Sequence, residues 1–140
     1  MKEVYFGCAI RAGREDQPFY SGIVNIIGQG AVVLSEIFGD SDLMSSQHQE
    51  LTEDQIYLKD MHWLTRAAGA IFEVTVPSLG VGYEIRAAED MKKPVLALYR
   101  PKVDKRLSAM IAGNPAIEVV EYSVVEELEK PVKEFLAQIP

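Results

Sequence analysis

Apolar residues fall along this chain in two rhythms. Short runs rich in β-formers recur: Val4-Tyr5-Phe6-Gly7-Cys8-Ala9, Ala31-Val32-Val33-Leu34, Gly69-Ala70-Ile71-Phe72-Glu73-Val74, Val95-Leu96-Ala97-Leu98-Tyr99 and Ile117-Glu118-Val119-Val120-Glu121-Tyr122. Each is the length of a buried strand and is bounded by turn residues. Between them the apolar positions repeat at helical spacing. The pattern predicts a helix over about 16–27, with Phe19, Ile23, Ile26 and Ile27 on one face and Gly28-Gln29-Gly30 stopping it. Glu15 and Asp16 place acid at its start, where the macrodipole favours it. A second helix opens at 51–55, with Ile56, Asp60, Trp63, Leu64 and Ala67 on one stripe. A third covers about 79–91 and ends at Lys92-Lys93-Pro94. A short helix is predicted at 107–113. A last one covers about 124–137, with Val125, Leu128, Val132, Phe135 and Leu136 inward and a kink at Pro131. The polar stretch 39–48 reads as a loop with some short helix.

Strand and helix alternate from end to end. That order predicts an α/β fold in one domain over 1–140: an open five-stranded parallel sheet with helices on both faces. With strand order 2-1-3-4-5, the chain reverses direction of winding between strands 1 and 3. Ligands bind there, outside the carboxyl ends of the strands. The loop from Gly7 to Arg14 and the turn from Pro77 to Gly82 both open into that crevice.

Composition narrows the function classes. Net charge is −7, from 14 basic and 21 acidic residues, which argues against a binder of nucleic-acid polymers or membrane surfaces. A small anionic ligand needs only a local pocket and stays open. Cys8 is the single cysteine, so no intrachain disulfide and no paired-cysteine metal site is expected. His48 and His62 lack ligand spacing, and no metal or cofactor is called for. No apolar run approaches a membrane span, and Met1-Lys2-Glu3 leads into strand-like residues rather than a signal peptide. The expectation is a cytoplasmic protein.

The candidate chemistry gathers around Thr75-Val76-Pro77-Ser78-Leu79-Gly80-Val81-Gly82-Tyr83-Glu84, a small-residue turn between strand and helix. A helix N-terminus offers N–H groups to an anion, and glycine allows a ligand close to the backbone. Ser78 can cap the helix and also donate a hydroxyl. Glu84, taken alone, is a solvated helix residue. After a glycine turn and among small apolar neighbours, it reads as a nucleophile or general base. Asp60 lies on an apolar stripe, where a bare charge is costly unless paired or facing a cavity. Two carboxylates on one crevice are the equipment of glycosidic bond cleavage. Tyr5, alone a core aromatic, can donate to a carboxylate. Arg11 and Arg14 are surface charge by default and phosphate ligands in this loop. Met44, Met61, Met91 and Met110 read as core fillers, and Cys8 as buried and inert.

These residues resemble a known family. Val4-Tyr5-Phe6, Ile10-Arg11-Ala12-Gly13-Arg14-Glu15-Asp16, Asp60 with Trp63-Leu64, Glu73-Val74-Thr75, Pro77-Ser78-Leu79-Gly80-Val81-Gly82-Tyr83-Glu84, Arg100-Pro101 and Leu107-Ser108-Ala109-Met110-Ile111 are similar, collinearly and over almost the whole chain, to the 2'-deoxynucleoside 5'-phosphate N-hydrolases. These belong to the nucleoside 2-deoxyribosyltransferase-like superfamily. The resemblance implies a flavodoxin-like fold, a homodimer, and hydrolysis of deoxynucleoside monophosphates to free base and 2-deoxyribose 5-phosphate. It implies Glu84 as the nucleophile at C1', Asp60 as the group assisting the leaving base and the water, and Tyr5 as the residue orienting Glu84. It also implies that Ser78 and Gly80 bind the 5'-phosphate together with Gly7, Cys8, Ala9, Ile10, Arg11, Ala12 and Gly13. Ser108, Ala109 and Met110 are implied in substrate binding, with Ser108 and Met110 reaching the neighbouring subunit's site.

The transferase relatives carry an Asp where this chain has Ser78, and a hydroxyl suits a phosphate where a carboxylate repels it. Departures from the family pattern are Ala9 for a serine, Ala12 for a glycine, Ile37 for a histidine near the base, and Ala68 for an acid. Two other readings compete: a 2-deoxyribosyltransferase, and a noncatalytic nucleotide-binding domain on the same scaffold. A phospho-receiver domain is disfavoured, because arginines rather than an acidic pair follow strand 1.

Overall fold

The computed structural model describes residues 1–10, 15–36, 51–102, 104 and 106–140. Arg11, Ala12, Gly13, Arg14, Ile37, Met44 and His48, and the loop predicted at 39–48, lie outside the described residues. The elements are β1 (Glu3–Gly7), α1 (Gln17–Gly28), β2 (Val32–Leu34), α2 (Glu53–Arg66), β3 (Gly69–Glu73), α3 (Leu79–Asp90), β4 (Val95–Tyr99), α4 (Ala109–Ala112), β5 (Ile117–Glu121), a 3-10 turn (Val125–Leu128) and α5 (Glu129–Gln138). The five strands pair in parallel in the order β2-β1-β3-β4-β5. This is the flavodoxin-like order, with its switch point between β1 and β3.

Strand alternation sorts the core into two layers. On one face Val4, Phe6, Ile71, Leu96 and Leu98 pack against Ile23 and Ile27 of α1 and Leu128, Val132 and Phe135 near the C-terminus. On the other, Tyr5, Ala70, Phe72 and Ala97 pack against Leu64 of α2 and Val81, Ile85 and Ala88 of α3. Both β3 and β4 are buried throughout, as strands covered on both sides must be.

Local chemistry sets the helix ends. Thr52 and Gln55 form a capping box at the start of α2, and Ser78 caps α3 by accepting from Val81 N–H. Asp16 stands at the N-cap position of α1 but makes no side-chain cap bond; it is drawn instead into an ion pair with buried Arg100. Arg100 is therefore buried at the end of β4. Pro131 does not kink the last helix. It sits in the first turn of α5, where no N–H is needed, and the 3-10 turn before it absorbs the change of direction. Met110 is no core filler: it is 81% exposed, while Met61 and Met91 are half-buried against the second core layer.

Candidate active site

The site is built at the carboxyl ends of β1 and β3, beside α2 and α3. A cleft of about 850 Å³ opens there, lined by Cys8, Ala9 and Ile10 after β1, by Asp60 of α2, and by Ser78, Gly80 and Glu84 around the start of α3. Tyr5 reaches it from below: its hydroxyl donates to Glu84 Oε2. Tyr5 is held in place by Phe72 and Trp63, with ring centroids 5.9 and 6.5 Å away. The chain thus joins residues 79 positions apart into one contact.

Gly7 is demanded by this packing. A Cβ on it would meet Phe72 Cδ1 at 2.7 Å and Glu84 Oε1 at 3.2 Å. Any side chain at Gly7 displaces either the Phe72 ring or the Glu84 carboxyl. Gly80 and Gly82 are different. A Cβ at Gly80 would meet nothing nearer than Ser78 Oγ at 3.8 Å, and one at Gly82 would meet nothing within 4 Å. Ser78 Oγ already accepts from Val81 N–H, leaving its own hydrogen available to a ligand. The N–H groups of Leu79 and Gly80, at the first turn of α3, have no partner within the helix.

Asp60 and Glu84 line the cleft, and Glu36 stands beside them. Glu84, Asp60 and Glu36 lie close enough that each carboxylate bears on the others. Burial raises the Glu84 carboxyl above the usual range, while hydrogen bonds from Tyr5 and Asp60 pull against it. Asp60 is pushed up to about 9, by burial first, then by hydrogen bonding with Glu36 and by the charge on Glu84. The Tyr5 phenol is raised well above its ordinary value by burial and by Glu84. Burial thus raises both carboxyls; Asp60 is the one held protonated at neutral pH, and Glu84 is the acceptor of hydrogen bonds from Tyr5 and Asp60.

Of the residues singled out in the sequence, the structure brings together Tyr5, Gly7, Cys8, Ala9, Ile10, Asp60, Ser78, Gly80 and Glu84. Cys8 and Ala9 are buried, and the Cys8 thiol is raised by burial, which fits its reading as inert. Arg11, Ala12 and Gly13 lie outside the described residues. Ser108, Ala109 and Met110 are not in this cleft. Ser108 caps α4, and Ser108 and Met110 line a second cleft of about 760 Å³ on the far side of α3. Pro77, Ser78, Leu79 and Val81 border both. His62 is exposed. Among the described residues, no group of three or more His, Cys, Asp or Glu side chains is disposed to hold a metal ion. No described helix is long and apolar enough to cross a membrane.

Glu36 was not among the candidates. It is 4% exposed, lies two residues after β2, and is bound by Lys59 at 2.9 and 3.1 Å. The signal available was an acid at the carboxyl end of a strand beside the switch point, between that strand and the polar stretch 39–48.

A parallel sheet in the order 2-1-3-4-5, with two carboxyls meeting in a cleft at its switch point, has the layout of an α/β glycosidase-type site. Residues 4–131 match the family described as nucleoside 2-deoxyribosyltransferase, and the chain belongs to that family. A 5-hydroxymethyl-dUMP N-hydrolase of Mus musculus is 41% identical over 134 residues, 95% of this chain and 76% of that protein. One from Tetraodon nigroviridis is 40% identical over 138 residues, 96% of this chain and 97% of that protein. The solved structure of a Clostridium botulinum CMP N-glycosidase shares the fold, with a TM-score of 0.66 at 16% identity, covering 96% of this chain and 99% of that one. The chain is an N-glycosidase of this family.

Proposed function

We propose that the protein hydrolyses the N-glycosidic bond of 2'-deoxynucleoside 5'-monophosphates, through a covalent glycosyl-enzyme on Glu84. The observation that carries this reading is the meeting of Asp60 and Glu84 in one cleft, Asp60 held protonated and Glu84 oriented by the Tyr5 hydroxyl. The relatives named as N-hydrolases of a deoxynucleotide support the substrate class. In the first step a Glu84 oxygen bonds to C1' as the C1'–N bond breaks, and the Asp60 proton goes to the departing base. In the second, water bonds to C1', its proton returns to Asp60, and the Glu84 ester is released. The 5'-phosphate is received by Ser78 Oγ and the N–H groups of Leu79 and Gly80, with the segment from Gly7 to Gly13 as a further phosphate ligand. A deoxyriboside suits the mechanism, since its C1' ionises readily and a 2'-hydroxyl would crowd Tyr5 and Glu84.

Two parts of this reading need their own tests. Transfer to a second base shares the first step, and the matched family's description favours keeping it in view. Incubating a deoxynucleotide with a different free base separates the outcomes: 2-deoxyribose 5-phosphate alone marks the hydrolase, whereas a new nucleotide marks the transferase. A noncatalytic binding domain would release no base from any nucleotide in a deoxy- and ribonucleotide panel. We also propose a homodimer in which Ser108 and Met110 reach the partner's site. Its support is the exposure of Met110, at 81%, and of Leu79, at 97%, along the second cleft. Mixing Glu84→Ala with Ser108→Ala protein should restore activity above the sum of the two through hybrid dimers. No recovery, in a mixture shown to exchange subunits, counts against the shared site.

A further inference from the structure

Glu36, the acid beside the two that line the cleft, has no part in the scheme above, yet it is better buried than either. A glutamate at 4% exposure is retained only where something holds its charge. Lys59 does so, with Nζ at 2.9 Å from one carboxylate oxygen and 3.1 Å from the other. Lys59 is itself laid over the Trp63 ring, 4.9 Å from its centroid, which fixes the ammonium and so the Glu36 side chain. The other side of Glu36 faces Asp60.

Asp60 has an unusual environment. Its Oδ1 is buried and meets no hydrogen-bond donor. The groups that face it are Glu36 after β2 and Glu84 from α3, both in hydrogen-bonding contact with it and Glu36 the more strongly, and Tyr5 from β1, whose hydroxyl is already given to Glu84. On its own helix, Lys59 is engaged by Glu36. Glu53 and Tyr57 of α2 and Tyr83 of α3 line the exposed mouth of the cleft. Carboxylates cannot donate to one another when all are ionised, so this packing is satisfied only if a proton sits between them.

We propose that Glu36 is a positioning residue for Asp60: its Lys59-anchored carboxylate accepts a hydrogen bond from the Asp60 carboxyl and keeps that carboxyl loaded and aimed as the proton donor to the departing base. The inference rests on the proposed glycosidase mechanism and explains a step that mechanism leaves open. Once Glu84 has become an ester, its charge no longer favours a proton on Asp60. The charge on Glu36 persists. After Asp60 has given its proton to the base, it is a carboxylate beside a second carboxylate. That repulsion makes it the stronger base toward the attacking water, whose proton it takes as the oxygen bonds to C1'. One fixed charge thus serves both halves of the cycle. The upward displacement of Asp60 by Glu36, through both hydrogen bonding and charge, agrees with this geometry.

The test is a carbon-13 NMR titration of the free protein labelled at aspartate carboxyls, the Asp60 signal being the one lost in Asp60→Asn. In the wild type Asp60 should remain protonated at pH 7. Glu36→Gln, close in shape but uncharged, should lower its midpoint by about one pH unit or more. Lys59→Met, which removes the opposing cation, should move it upward. The alkaline limb of the base-release profile should follow the same order, with KM for the nucleotide little changed. Opposite shifts from two variants of one ion pair are not produced by a general loosening of the fold. A midpoint unmoved in Glu36→Gln, in folded protein, overturns the proposal. The titration needs no turnover, so a wild type that released no base would refute the glycosidase reading separately from the Glu36–Asp60 bond.

Discussion

Two acids stand at the carboxyl end of this sheet, one on each side of it, and they have opposite fates. Glu73 closes β3 on the face packed by α1. It is 1% exposed, and it accepts from Thr75 N–H at 2.6 Å, from Thr75 Oγ1 at 2.9 Å and from the Tyr122 hydroxyl. Thr75 Oγ1 in turn accepts from Arg100 N–H at 2.8 Å, and Arg100, stacked 3.7 Å over the Phe19 ring, pairs with Asp16. Burial raises the Glu73 carboxyl while all three of its donors lower it. Glu84, on the other face, receives one phenol and has two more acids beside it. The lesson concerns satisfaction rather than burial. Glu73 has enough fixed donors to be inert and to tie the loop after β3 to β4 and β5. Glu84 and Asp60 are left with acids for neighbours and a cleft in front of them, so their remaining capacity is directed at a ligand.

Changes to the two sites should therefore separate activity from stability. The largest effect on activity is expected for Glu84→Gln, a loss of base release of at least about 10³-fold with the melting temperature little changed. Asp60→Asn should cost roughly 10²- to 10⁴-fold in kcat, and it carries a second signature. Because the folded protein raises this carboxyl from 3.8 to about 9, the stability it contributes is full below pH 3.8 and is lost as pH rises toward 9. Asp60→Asn should thus gain stability relative to wild type on going from pH 6 to pH 9, measurable by thermal melts at the two values. Tyr5→Phe removes a hydrogen bond to a charged group and should lower kcat roughly 10- to 100-fold. Ser78→Asp keeps an N-cap but sets a carboxylate against the phosphate; it should raise KM for nucleotides several-fold more than for the matching nucleosides. Tyr122→Phe is the counterpart on the inert side. It should destabilise by about 1–3 kcal/mol, by chemical denaturation, and leave kcat near that of the wild type. If Tyr122→Phe instead reduced kcat as strongly as Tyr5→Phe, the contrast between the two acids would be lost.

Much of this was legible in the residue pattern. Strand order and crevice follow from the alternation of apolar runs and helical stripes, because a parallel sheet with crossover helices has few ways to close. Asp60 stood out as an acid on an apolar stripe, and Glu84 as an acid after a glycine turn. Other features were illegible for physical reasons. Glu36 looks like a loop acid, and Asp16 like a helix-start acid answering the macrodipole, until a cation from elsewhere in the fold is packed against each. Pro131 looks like a kink until the preceding turn shows that it begins the helix. Met110 looks like core because methionine usually is, and only its place on a four-residue helix at the surface reverses that. Partner choice across a sheet is set by the fold's register, which no local window contains.

The most direct measurement is the rate of free-base release from a 2'-deoxynucleoside 5'-monophosphate by wild type, Glu84→Gln and Glu73→Gln, each normalised to the folded fraction. The wild type and Glu73→Gln should release base at comparable rates per folded molecule, while Glu84→Gln is essentially silent. Full turnover by Glu84→Gln would contradict the account.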